Sequence, residues 1–241
     1  MIGIIGFGRF GKLAARYLAE DFEVLVFNRT DKSAEIKKTG ARTASLKTVC
    51  QQKIIILCVP ISTFKEVLIE IGPLLKKDVL VVDVCSVKVY PTQWMKQSLP
   101  ETVSILATHP IFGPDSAADS LKDRKIFLSP IRIAKKQYQK IKTYLASKEL
   151  VLIESTPEDH DEQIAISLAL THYIGRTLSE FGAARLNIDS EGYKRLLHIL
   201  EVVEHDTWQL FYDMQRYNPY AKEKRAAFMQ AMQKIDKRLE R

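Results

Sequence analysis

The sequence has only three cysteines, and Cys50, Cys58 and Cys85 show no metal-ligand spacing. That excludes a disulfide scaffold and a zinc module; reduced thiols in a cytoplasm are expected, with no metal. Long hydrophobic runs are missing too. The longest, Ile54 to Val59 and Val79 to Val82, have the length of strands and fall far short of a membrane span. The first residues lack the basic, apolar and small-residue progression of a signal peptide. No nucleic-acid module is recognisable, so the net charge of +7 is read as solvated helix surface, as in Lys135 to Lys142 and Lys222 to Arg241. Such a surface also draws anionic small molecules, phosphorylated cofactors among them.

What is there begins with a glycine cluster. The apolar run Ile2 to Ile5 leads into Gly6-Phe7-Gly8-Arg9-Phe10-Gly11, after which Leu13, Ala14, Tyr17 and Leu18 recur at helical spacing. This is strand, glycine turn and helix. Gly6 permits the tight turn, Gly8 lets backbone approach a pyrophosphate, and Gly11 lets the helix pack on the strand. A second strand, Glu23 to Phe27, ends in Asn28-Arg29-Thr30. NAD-preferring sites usually carry an acid there for the ribose hydroxyls. An amide followed by a guanidinium and a hydroxyl suits a 2′-phosphate, so NADP is the expected cofactor.

Lys53 to Pro60 reads as a parallel strand covered on both faces, followed by a helix and by another buried strand from Val79 to Val84. The alternation predicts a doubly wound α/β domain, whose ligands sit beyond the carboxyl ends of the strands. Cys58, Val59 and Pro60 are thereby expected along the cofactor, and Asp83, Ser86 and Lys88 at the site. Ser104 to Ala107 forms the next strand and delivers His109 onto a loop that Pro110, Gly113 and Pro114 keep from becoming helix. A neutral imidazole there can remove a hydroxyl proton near neutral pH, with Ser86 orienting the oxygen. Further strands, Lys125 to Leu128 and Leu150 to Ile153, flank a helix from Ala134 to Ser147, and the domain is expected to occupy residues 1–155.

Residues 156–241 read as all-helical. Thr156-Pro157-Glu158-Asp159 has the chemistry of a helix start. Ile164, Leu168, Thr171, His172, Gly175 and Leu178 then fall on or near one face, and Asp159 and Asp161 suit helix-end capping, with a site role for His160 and Asp161 equally open. A second helix follows the break at Leu186 to Ser190, and a third runs to the C-terminus from near Pro219. This unit is too small to bury its apolar residues comfortably alone, which points to pairing with the first domain or with a second subunit, as in a homodimer.

These segments together resemble the arogenate/prephenate dehydrogenase family of tyrosine biosynthesis, the plant-type arogenate enzymes in particular. The matching stretches are IGIIGFGRFG, NRTD, DVCSVK, THPIFGPDS, DHD with ALTHYIGRTL, and GYKRLL through DTWQLFY. The resemblance implies a Rossmann-type domain and NADP-linked oxidative decarboxylation, with His109 as proton acceptor and Ser86 on the substrate hydroxyl. It also implies that Thr171 and His172 line the substrate site. Asp206 matches an acid that accompanies arogenate use, since a carboxylate pairs with an ammonium and repels a keto acid. The chain departs at Gln209, where many bacterial members carry an arginine for the substrate carboxylate. Lys88, Arg176, Arg185, Lys194 and Arg216 are alternative cations. Prephenate is the second substrate reading. A silent NADP-binding sensor or scaffold is a reading from another class, and a reductase of imines or hydroxy acids is a third.

Overall fold

The computed structural model describes residues 1–240, with backbone only at Val202. Its contacts divide the chain into one unit of Met1–Pro157 and another of Glu158–Arg241. The first unit runs β1 (Ile2–Ile5), α1 (Arg9–Ala19), β2 (Val24–Phe27), α2 (Ser33–Lys38), β3 (Arg42–Thr43), α3 (Leu46–Cys50), β4 (Ile54–Leu57), α4 (Ile61–Ile71), β5 (Leu80–Asp83), α5 (Val89–Ser98), β6 (Ser104–Pro110), β7 (Lys125–Arg132), α6 (Lys135–Ser147) and β8 (Val151–Glu154). The strands form one sheet in the order β3-β2-β1-β4-β5-β6-β7-β8. Ile4 lies between Val26 and Ile56 in register, at the centre of a sheet of β-branched residues. The Rossmann-type sheet and the helical second unit expected from the sequence are both present.

Three features depart from the expected pattern. The pairing of β6 with β7 is antiparallel, while all other pairs are parallel. A parallel return needs a crossover through a long connection, usually a helix. Pro110, Gly113 and Pro114 deny the 111–124 segment that helix, so the chain turns back at the same end of the sheet. Second, β6 continues through Pro110, so His109 is a strand residue paired with Phe127 rather than a loop residue. Third, β4 and β5 are not covered on both faces. Ile54, Ile56, Val82 and Val84 are only half-buried. They line an apolar cavity of about 370 Å³ walled also by Leu13 and Ile141.

The second unit comprises α7 (Pro157–Ile164), a π-helical turn (Ala165–Leu170), α8 (Thr171–Phe181), α9 (Glu191–Glu204), α10 (Trp208–Tyr217) and α11 (Ala221–Leu239). The wide turn moves the buried stripe. Asp161, Ala165, Ala169, His172 and Gly175 face inward, and Ala169 takes the place expected for Leu168. The amide of Gln215 donates to the Ala169 carbonyl at 2.7 Å inside this irregular stretch. Gly182, at φ +79°, ends α8 in the left-handed region. Ser190 and Thr207 cap α9 and α10 through Tyr193 N at 3.2 Å and Leu210 N at 3.1 Å.

Candidate active site

The glycine turn is held by contact. Gly6 has φ +98°, and a Cβ there would meet the Cys58 carbonyl oxygen at 2.3 Å. A Cβ on Gly11 would meet the Gly6 oxygen at 2.3 Å, so α1 rests directly on the turn. At Gly8 a side chain would meet nothing within 4 Å. The protein's own packing therefore leaves backbone open at the N-terminal end of α1, where partial positive charge suits a phosphate. Cradle and open backbone together fit a dinucleotide.

The other cofactor residues divide by what they touch. Phe7 is a core side chain, packed in the cluster of Ile4, Val26 and Ile36, so only its backbone belongs to the turn. Asn28 is spent within the protein. Its Oδ1 accepts from Phe7 N at 2.9 Å, and its Nδ2 donates to the Thr30 carbonyl and hydroxyl oxygens, each at 3.0 Å. Arg29 is exposed and makes no hydrogen bond or ion pair among the described residues. Arg9 reaches Asp115 Oδ2 at 2.7 Å, and the Phe10 ring packs beside Phe112 with centroids 6.3 Å apart. Tyr17 adds a hydrogen bond to the Ala117 carbonyl at 2.9 Å. The segment after His109 is thus latched onto α1. Cys58, Val59 and Pro60 follow β4, with Cys58 N donating to the Ile5 carbonyl at 2.8 Å. Burial pushes the Cys58 thiol up to about 12, so it packs as a small apolar group.

Ser86 and His109 leave neighbouring strands. Asp83 pairs with Ala107 in register, so the serine lies three residues beyond that rung on β5 and the histidine two beyond it on β6. His109 is buried. The Ser86 hydroxyl is buried and has no hydrogen-bond partner among the described residues. The brace that fixes them is Asp83 with Lys88, both wholly buried. The Lys88 ammonium donates to the Asp83 carboxylate and to the Thr108 carbonyl. Asp83 also accepts from Cys85 N at 3.0 Å and Thr108 N at 3.3 Å. The Thr108 hydroxyl donates to the Asp83 carbonyl at 2.6 Å. Burial raises the Asp83 carboxyl, against the pull of the adjacent ammonium. Removing one partner of such a pair costs about 3–5 kcal/mol. Lys88 is consequently committed inside the fold and is no holder of a ligand carboxylate. Its pairing was invisible in sequence, where D-V-C-S-V-K only places Asp83, Ser86 and Lys88 at the site.

In the helical unit, His172 Nε2 lies 3.7 Å from Asp206 Oδ2. Burial lowers the imidazole pKa, with Arg176 adding to the effect and Asp206 opposing it. Its Nδ1 is buried and has no hydrogen-bond partner among the described residues. Arg176, one turn along α8, donates from Nη2 to the Asp206 carbonyl and lies 4.4 Å from the Trp208 ring centre. Gln209 donates to Asp213 Oδ1 at 2.7 Å. The Thr171 hydroxyl donates to the Ser167 carbonyl at 3.1 Å, within the helix. Among the other cations considered, Arg185 pairs with Glu201, Lys194 with Glu191 and Asp189, and Arg216 lies over Tyr212. The sequence reading of Asp161 as a helix-end cap is corrected. The carboxylate is fully buried 2.8 Å from His160 Nδ1, and Asn218 Nδ2 donates to its backbone carbonyl at 2.8 Å.

Known proteins resemble this chain in sequence and fold. The family described as prephenate dehydrogenase, nucleotide-binding domain, matches residues 24–154, and the C-terminal domain of TYRAAT1-like proteins matches residues 177–241. Arogenate dehydrogenase 1, chloroplastic, of Arabidopsis thaliana is 32% identical over 99% of this chain, which spans 39% of that relative's length. Arogenate dehydrogenase 2, chloroplastic, of the same plant is 30% identical over 99% of the chain, which spans 69% of it. The crystal structure of prephenate dehydrogenase from A. aeolicus, bound to hydroxyphenyl propionate and NAD+, has the same fold with TM-score 0.79. It is 19% identical, the alignment covering 98% of this chain and 89% of that one.

Proposed function

The chain belongs to the arogenate/prephenate dehydrogenase family, and from that premise we propose that it converts arogenate to tyrosine by NADP-dependent oxidative decarboxylation. The observation that carries this reading is the braced pair of strand ends bearing Ser86 and His109. His109 accepts the proton of the ring hydroxyl while hydride leaves the same carbon, and Ser86 orients that oxygen. Loss of the ring carboxylate as carbon dioxide aromatises the product. Bound NADP+ supplies the hydride acceptor. Gly6, Phe7, Gly8, Arg9, Phe10 and Gly11 hold its pyrophosphate by backbone, and Cys58, Val59 and Pro60 flank it. Arg29, exposed and uncommitted beside the inward-turned Asn28, takes the 2′-phosphate with Thr30.

Thr171, His172, Asp206 and Gln209 serve the substrate from the helical unit, Asp206 through the ammonium of arogenate. Asp206→Asn is therefore expected to shift the kcat/KM ratio of arogenate to prephenate towards prephenate, and an unchanged ratio removes Asp206 from this role. The apolar side chains exposed on this unit support a homodimer. Free thiols at Cys50, Cys58 and Cys85 suit a cytoplasmic enzyme. No helix among the described residues is long and apolar enough to cross a membrane.

The deciding assay compares rates with arogenate and prephenate, each with NADP and NAD. The arogenate and NADP pair should be fastest. Folded protein that binds NADP but turns over neither substrate would be a cofactor sensor or scaffold, and the dehydrogenase reading would fall.

A further inference from the structure

An α-amino-acid end carries an ammonium and a carboxylate on one carbon, so a host that reads it needs opposite charges side by side. The helical unit has one such corner. Arg176 donates to the backbone carbonyl of Asp206 itself, which ties the guanidinium and the Asp206 carboxylate to the same short turn between α9 and α10. Trp208, the first residue of α10, stacks against the guanidinium and orients its planar fork. Among the described residues the guanidinium makes that single hydrogen bond, and its Nε is buried with no partner. One turn back on α8, His172 is 3% exposed and its Nδ1 is likewise unpartnered. Buried polar nitrogens are normally satisfied, and two idle ones at the turn that holds the Arg176 guanidinium against the Asp206 backbone mark a place that a polar ligand completes. Gln209, by contrast, is neutral and donates to the buried Asp213.

We propose that Arg176 is a specificity-determining residue that holds the carboxylate of the substrate's amino-acid end while Asp206 holds its ammonium. The proposal rests on the arogenate reading and names the cation which that reading lacks. Trp208 is the platform that keeps the fork in plane, and the turn at Asp206 sets the spacing of the two charges.

The test uses the full chain and two probes, tyrosine and tyramine, which differ by the side-chain carboxylate. Wild-type protein should bind tyrosine more tightly than tyramine by calorimetry. Arg176→Gln should weaken tyrosine roughly 10- to 100-fold, as for loss of a hydrogen bond to a charged group, and leave tyramine nearly unchanged. The KM for arogenate should rise by a similar factor, with a smaller change in kcat and none in NADP affinity. Equal weakening of both probes would mean a purely structural role, and retained preference for tyrosine would mean that another cation binds; each overturns the proposal. If Arg176→Gln fails to fold, Arg176→Lys decides. It keeps the charge but loses the fork, so its tyrosine preference should drop several-fold, and full preference overturns the role. Failure of the wild type to oxidise arogenate or prephenate would sink the dehydrogenase reading, while the two-probe comparison would still judge Arg176.

Discussion

At the scale of single residues, position within the brace matters more than exposure. His109 is a buried strand residue, yet it stands two residues past the last rung shared by β5 and β6. The Asp83 and Lys88 pair fixes Thr108 just before it through backbone and side chain. His109→Asn preserves a polar side chain of similar reach but removes the base. Turnover is expected to fall about 10²- to 10⁴-fold with NADP affinity unchanged, measured by steady-state rates and a cofactor titration. Near-normal turnover would take His109 out of the mechanism. Arg29→Ala is expected to weaken NADP by roughly 10-fold or more and NAD hardly at all, since only one carries the 2′-phosphate. Equal losses in the two titrations would show that the guanidinium does not reach that group.

At the scale of elements, two helices are set by a missing side chain. Gly11 lets α1 sit on the Gly6 turn, and Gly175 lets α8 close against α9. A Cβ on Gly175 would lie 2.6 Å from one Val203 methyl and 3.0 Å from the other. This contact lies on the same helix as His172 and Arg176, about one turn after the first and immediately before the second. Gly175→Val should therefore destabilise the protein by about 1–3 kcal/mol through overpacking. A thermal melt reads this, and an unchanged midpoint would mean that the helices part freely. The π turn belongs to this scale as well. By widening the helix before Thr171 it sets which residues of α8 face inward, and periodicity at 3.6 residues cannot anticipate it.

At the scale of the molecule, the two units bury apolar surface unequally. The sheet unit has a large interior, with Ile4, Val26, Ile55, Phe64 and Leu68 fully enclosed. The helical unit leaves Phe181 82% exposed and Ile188 94% exposed. The proposed homodimer would cover these side chains. The expected outcome is a dimer by light scattering at micromolar concentration, shifted towards monomer by Ile188→Asp. A monomer at all concentrations would refute pairing through this unit.

Local chemistry in the sequence determined a good part of this protein. The glycine turn, the apolar strands and the proline-studded segment after His109 each depend on neighbours within a few residues, and each reads from spacing alone. Ser86, His109, Asn28 and Arg29 were legible as candidates for the same reason. The tertiary structure alone decided the partners. Lys88 could be a ligand for a carboxylate or a buried brace, and only its burial against Asp83 and Thr108 separates the two. Asp161 could cap a helix or pair with His160, and only burial decides. Arg176 was one of several cations until folding laid it against Trp208 and the Asp206 carbonyl. Contacts across many residues of chain depend on which faces meet. Composition and periodicity carry no record of that.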